Sequence, residues 1–150
     1  MIVLDTHIIV WDALQPDKIS KKARKMIDRA NELSGIIIAD ISLWEIAMLM
    51  KKNRLSIDAT YPELIHLIRS ANHYTFQSIT PEIADLSVSL SSEVNLDPAD
   101  RLICATAIFR NVPLITADSN LINSKSVETI WLKSALFEPQ REFWHIRYSR

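Results

Sequence analysis

Two wholly apolar runs, Ile2-Val3-Leu4 and Ile36-Ile37-Ile38-Ala39, constrain this chain more than any other feature. Neither alternates polar with apolar residues, so neither suits a strand with one face in water. Both read as strands covered on both faces, which is the habit of parallel sheets. Between them Ser20 precedes Lys21 to Ala30, where Ala23, Met26, Ile27 and Ala30 fall at helical spacing among basic residues. This is the pattern of an amphipathic surface helix capped by a serine. Gly35, the only glycine, ends that helix and introduces the second strand.

The alternation continues along the chain. From Ser42 the segment to Lys52 is predicted as a helix, apolar nearly all round and so largely buried, with Ser42 and Glu45 at capping-box spacing. Trp44, Ile46, Met48 and Met50 read as core or dimer-interface residues. Pro62 to Asn72 and Pro81 to Glu93 are predicted as helices with proline at the first position, separated by a strand at Tyr74-Thr75-Phe76. Asp97-Pro98 opens a helix through Arg110, and strands follow at Pro113 to Thr116 and Val127 to Trp131. The expected fold is α/β: a short, mostly parallel central sheet flanked by helices in three layers. In such sheets the functional crevice lies at the carboxyl ends of the strands.

At 150 residues, 48% hydrophobic and 23% charged, the chain has the size and composition of one globular domain. The sheet pattern ends at 131. Residues 132–150 carry Phe137, Phe143, Trp144 and Tyr148 among Arg141, Arg147 and Arg150, an extension expected to pack on the domain or meet a partner. Cys104 is the only cysteine and reads as a small buried hydrophobe in a reducing compartment. The amino terminus has no basic leader and no apolar run approaches a membrane span, so a cytoplasmic protein is expected. A net charge of -1 gives no global signal for nucleic acid. Setting aside four acids discussed next, however, 17 basic residues face 14 acidic ones.

With one glycine there is no G-x-G-x-x-G and no glycine-rich phosphate loop, which removes the commonest use of a parallel sheet. No serine sits in a G-x-S-x-G elbow, and His7, His66, His73 and His145 show no zinc spacing with one another or with Cys104. Carboxylates remain. Asp5 ends the first strand, Glu45 interrupts an apolar helix after the second, Asp100 precedes the apolar Leu102 to Phe109, and Asp118 follows Leu114 to Ala117.

Helix capping accounts for each acid taken alone, since Asp and Glu at helix starts satisfy free amides and favour the dipole. Taken together they ask for more. Strand-to-helix junctions of a parallel sheet open onto one edge, which brings Asp5, Glu45 and Asp118 toward a single crevice. Like charges converging in a desolvated cleft raise one another's pKa, a cost that a divalent cation offsets. Oxygen-only ligands favour Mg²⁺ or Mn²⁺. Asp100 follows a predicted helix, and strand geometry does not by itself bring it in.

The order Leu4-Asp5-Thr6-His7, Ser42-Leu43-Trp44-Glu45-Ile46-Ala47, Asp97-Pro98-Ala99-Asp100-Arg101-Leu102 and Ile115-Thr116-Ala117-Asp118 closely resembles PIN domains, particularly the toxins of VapBC type. The likeness runs from residue 2 to about 131. It implies a Mg²⁺- or Mn²⁺-dependent endoribonuclease, inhibited by a small cognate antitoxin and acting as a homodimer. By motif position Asp5, Glu45, Asp100 and Asp118 match the family's acidic quartet, with Asp5 and Asp100 the first choices as direct metal ligands. Thr6 and Thr116 match hydroxyls that support ligands or a water. Asp97 is expected to cap its helix and fix the loop, in preference to a secondary role at the metal. Arg101 is expected in an ion pair rather than at a phosphate, and His7 as a structural residue. The extension 132–150 departs from the usual pattern.

The alternative is a catalytically silent binding module, either a PIN fold that only scaffolds partners or a receiver-like domain. A receiver wants adjacent acids at its amino end and a lysine after a late strand, where this chain has Asp5-Thr6 and Thr116-Ala117-Asp118. A scaffold would normally have lost some of the acids.

Overall fold

The computed structural model describes residues 1–94 and 96–131. The expected extension, 132–150, lies outside the described residues. Among the described residues are five parallel strands, β1 (Ile2–Leu4), β2 (Ile36–Ala39), β3 (Tyr74–Gln77), β4 (Leu114–Ile115) and β5 (Thr129–Ile130), side by side in the order β3-β2-β1-β4-β5. The helices are α1 (Thr6–Leu14), α2 (Lys21–Arg29), α3 (Asp40–Lys51), α4 (Tyr61–Ala71), α5 (Pro81–Ser89), α6 (Pro98–Arg110) and α7 (Ser119–Asn123).

The apolar strands are covered on both faces, as their composition requires. Ile2, Leu4, Ile36, Ile38, Ile115 and Ile130 face a core completed by α1, α2 and α4. Val3, Ile37, Ala39 and Leu114 face a second core, with Ile103, Cys104 and Ala107 of α6 and Leu121 of α7. The alternation of Cβ direction along each strand divides a continuous apolar run between the two cores. Cys104 is buried, as expected. A polar knot ties the first layer together: Asp12 of α1 accepts from the Arg24 guanidinium of α2 at 2.6 Å, from the Asn72 amide and from the Tyr74 hydroxyl of β3.

Several boundaries depart from the sequence reading for identifiable reasons. Helix α1 carries no amphipathic stripe because Thr6 to Trp11 is buried throughout, wedged against α3 and α4. Helix α3 begins at Asp40 with Ala39 as its cap, since β2 runs straight into it, so Ser42 and Glu45 lie inside the helix and form no capping box. It is also less buried than expected. Only Ser42 and Ile46 are fully buried and Trp44 is 56% exposed, which removes Trp44 from the core. The capping box occurs instead at Thr60 and Glu63, which starts α4 one residue earlier and puts Pro62 at its second position. Helix α5 stops at Ser89, short of Glu93, where Leu90 turns extended. Strands β4 and β5 have two residues each, shorter than predicted.

Gly35 sits at φ 90° and ψ 161°, a region closed to residues with a Cβ, and this turns α2 into β2. Its hypothetical Cβ would meet only Met1 at 4.0 Å, so the cost of a side chain there is in the backbone. Gly35→Ala is therefore expected to destabilise the domain by about 1–3 kcal/mol, read as a lower urea midpoint with an unchanged slope.

Candidate functional site

The sheet order reverses between β1 and β4, and the crevice beyond the carboxyl ends of these two strands is where open α/β sheets bind ligands. Asp5 follows β1 there, and Thr116, Ala117 and Asp118 follow β4. Asp5 is 3% exposed. It is the N-cap of α1, with Oδ1 accepting from the Thr6 amide at 2.7 Å. Its Oδ2 accepts from the Thr116 hydroxyl at 2.6 Å. The His7 Nδ1 lies 3.2 Å from the same oxygen, while His7 Nε2 accepts from the Ala117 amide at 3.2 Å. An Nε2 that accepts leaves the proton on Nδ1, so His7 donates to Asp5 and bridges the ends of β1 and β4. This is the structural role expected for it.

Thr116 works in two directions. Besides donating to Asp5 it accepts from the Asp118 amide at 3.0 Å, which sets the turn that carries Asp118. Asp118 then caps α7, with Oδ1 accepting from the amides of Asn120 and Leu121 at 2.8 and 3.2 Å. Thr6 faces α3, its hydroxyl 2.9 Å from that of the fully buried Ser42 and within hydrogen-bonding reach of Glu45. Ser42 was not singled out from the sequence, where it resembled a helix cap.

Asp100 comes from the opposite direction. Helix α6 ends at Arg110 just ahead of β4, so it runs down toward the amino end of that strand and its first turn stands at the carboxyl edge. Asp97 caps it, its Oδ1 accepting from the amides of Ala99 and Asp100 at 2.8 and 3.4 Å. Carboxylate oxygens of Glu45, Asp97 and Asp100 lie within 4.8 Å of one another. Asp97 is thus a full member of the cluster as well as a cap. Asp5, Asp97 and Asp118 all cap helices; of these Asp97 joins Glu45 and Asp100, while Asp5 and Asp118 act on Asp100 through their charges.

The convergence is expensive for negative charge. Burial is the main force pushing the Asp100 carboxyl up, to about 8, with the charges of Asp5, Asp97, Glu45 and Asp118 adding to it. Burial likewise lifts Glu45 to about 7, opposed by the Thr6 hydrogen bond and reinforced by the charges of Asp5 and Asp97. Arg101 relieves none of this. Its guanidinium points away and binds main-chain carbonyls, neither pairing with an acid as expected nor standing ready for a phosphate.

A parallel α/β domain with a cluster of carboxylates at its topological switch point defines a class of acidic-site proteins, and comparison with known proteins places the chain within it. The sequence pattern of the PIN domain matches residues 2–125. The chain is 36% identical over 132 residues to the protein named Ribonuclease VapC22 of Mycobacterium tuberculosis (strain ATCC 25618 / H37Rv), covering 87% of this chain and 98% of that protein. It is a member of the PIN domain family. Among solved structures, the fold is similar to that of VapBC2 from Rickettsia felis bound to a promoter DNA fragment, with TM-score 0.65, 16% identity, and coverage of 87% of this chain and 98% of that one. It is also similar to a toxin-antitoxin complex from Klebsiella pneumoniae, with TM-score 0.60, 20% identity, and coverage of 87% and 97%.

Because the folded-state pKa values of Asp100 and Glu45 are raised, the native protein binds more protons than the unfolded chain between about pH 4 and pH 8. Without divalent cations, stability should be highest at the acid end of that window and fall as pH rises through it. Asp100→Asn should flatten the fall and leave the variant the more stable at pH 8. Thermal unfolding in EDTA across this range checks both, and a wild-type stability that rises with pH contradicts the arrangement.

Proposed function

We propose that this chain is a divalent-metal-dependent endoribonuclease, the toxin of a toxin-antitoxin pair, hydrolysing RNA phosphodiesters at the acidic pocket. The observation that carries the reading is the meeting of Glu45, Asp97 and Asp100 oxygens within 4.8 Å, beside Asp5 and Asp118 at the switch point. Oxygen donors alone, with several negative charges and no sulfur or imidazole ligand in the group, fit Mg²⁺ or Mn²⁺. Asp100, Glu45 and Asp97 would hold the ion, with Asp5 and Asp118 completing the negative cage. Bound there, the ion would neutralise the scissile phosphate and make a water acidic enough to attack near neutral pH.

The residues of the chain supply the rest. A carboxylate of the cage that does not itself hold the ion would orient the attacking water and take its proton as the water oxygen bonds to phosphorus, while the P–O bond in line with it breaks and the leaving oxygen takes a proton from solvent. Thr6 steadies Glu45, and Thr116 with His7 holds Asp5, so that the acids keep their places without reorganising during the reaction.

The RNA substrate in this reading is supported by the 36% identical relative, named a ribonuclease. The antitoxin partner is supported by similarity to solved VapBC and toxin-antitoxin structures. A homodimer is proposed through the exposed face of α3 around Trp44, next to the catalytic Glu45. The domain is read as 1–131, with 132–150 as a partner or subunit contact, in a cytoplasmic protein. Among the described residues no helix is long and apolar enough to cross a membrane. The strand order β3-β2-β1-β4-β5 differs from the 2-1-3-4-5 order of receiver-like folds. Glu45 and Asp100 within 4.8 Å of one another and of Asp97, with the charges of Asp5 and Asp118 acting on Asp100, support a working site over a silent scaffold.

Asp100→Asn and Asp5→Asn are each expected to fold and to lose more than about 100-fold in Mn²⁺-dependent cleavage of total RNA, since even outer-shell changes at metal sites cost 10–100-fold. Cleavage by both variants at the wild-type rate would end the nuclease reading. Induced expression should arrest growth, with relief on co-expression of a small protein from the adjacent reading frame. Arrest by Asp100→Asn equal to that by wild type would separate toxicity from this pocket.

A further inference from the structure

Arg101 follows Asp100 and stands one helical turn after Asp97, the position from which a cation ordinarily reaches a carboxylate four residues away. It makes a different set of contacts. Its Nε donates to the Ser87 carbonyl at 2.8 Å, one terminal nitrogen donates to Leu90 at 2.6 Å, and the other reaches Ser91 and Val94 at 3.4 and 3.3 Å. Among the described residues no ion pair includes it. One planar group therefore gathers four main-chain carbonyls that span the end of α5 and the segment leading toward α6.

The chemistry of that end explains the choice of residue. The last carbonyls of a helix have no partner within it, and a cation there also meets the negative end of the helix dipole. Leu90, at φ -61° and ψ 147°, breaks α5, so the chain beyond it has no helical ladder to hold it. Val94 is anchored by full burial in the second core. A guanidinium offers five donors in a rigid fork, whereas a lysine ammonium is a point charge on a flexible stem. The group that grips this segment is rooted in the same turn of α6 that carries Asp97 and Asp100.

We propose that Arg101 is a positioning residue of the metal centre: by holding the carbonyls of Ser87, Leu90, Ser91 and Val94 it ties the first turn of α6 to the end of α5 and thereby keeps Asp97 and Asp100 in place against the repulsion of Glu45. It does so while keeping its own charge away from the pocket, where a fixed guanidinium would compete with a metal ion. This inference rests on the reading of the pocket as a metal centre.

Calorimetric titration of Mn²⁺ into the wild type, Arg101→Lys and Ile83→Val tests it. Ile83 is fully buried in α5, so its valine variant loosens the helix without touching the guanidinium. Arg101→Lys is expected to bind Mn²⁺ at least about 10-fold more weakly, while Ile83→Val loses stability and keeps its affinity. Equal affinity in the wild type and Arg101→Lys overturns the proposal, as does an equal loss in Ile83→Val. A wild type that takes up no Mn²⁺ overturns the metal-centre reading itself and is recognised before any variant is compared. Hydrogen exchange on the wild type needs no substitution: bound Mn²⁺ should slow the amides of 87–94, and unchanged exchange there with Mn²⁺ bound is a second result that overturns it.

Discussion

The half-buried Asp100 carboxylate has Asp5, Glu45, Asp97 and Asp118 as electrostatic neighbours, and its charge requires a proton or a cation in return. Much of the surrounding structure is arranged to hold these groups together against that repulsion. Hydroxyls of Thr6 and Thr116, the Nδ1 proton of His7 and the first amides of α1, α6 and α7 all turn toward the acids. The pocket thus combines hydrogen-bonding support for individual acids with a net excess of negative charge. A bound cation would offset that excess.

The supports divide by origin. Asp5, Thr116 and Asp118 are placed by β1 and β4, which are buried on both faces and tied by a parallel ladder extended through the Asp5 amide to the Ile115 carbonyl. Glu45, Asp97 and Asp100 are carried on helices, α3 and α6, whose own packing sets how near they come. Membership of the PIN domain family agrees with this division, since the family's sequence pattern spans residues 2–125 and so takes in every element that delivers an acid.

Much of the fold was legible in local patterns. Ile2 to Leu4 and Ile36 to Ala39 announced buried parallel strands, and the sheet and its two covering layers follow from them. Three of the five acids were legible from the rule that strand-to-helix junctions share an edge. What escaped did so because its signal was not local. Helix α1 is buried almost all round and shows no polar face to set a helical period. Asp100 reaches the pocket because α6 precedes β4 and must begin at the edge where β4 ends, a consequence of connectivity that reading each acid against the run beside it does not expose.

The amino-acid sequence by itself determined that the chain would build a parallel sheet covered on both sides, and which carboxylates stood at its junctions, because periodicity and abrupt apolar ends are properties of neighbouring residues. Tertiary structure decided which hydroxyl meets which acid, that Asp97 joins Glu45 and Asp100 as well as capping a helix, and that Arg101 grips carbonyls instead of a carboxylate. Those outcomes depend on atoms far apart in the chain arriving within a few ångströms of one another, and only the packing of α3, α5 and α6 against the sheet fixes such distances.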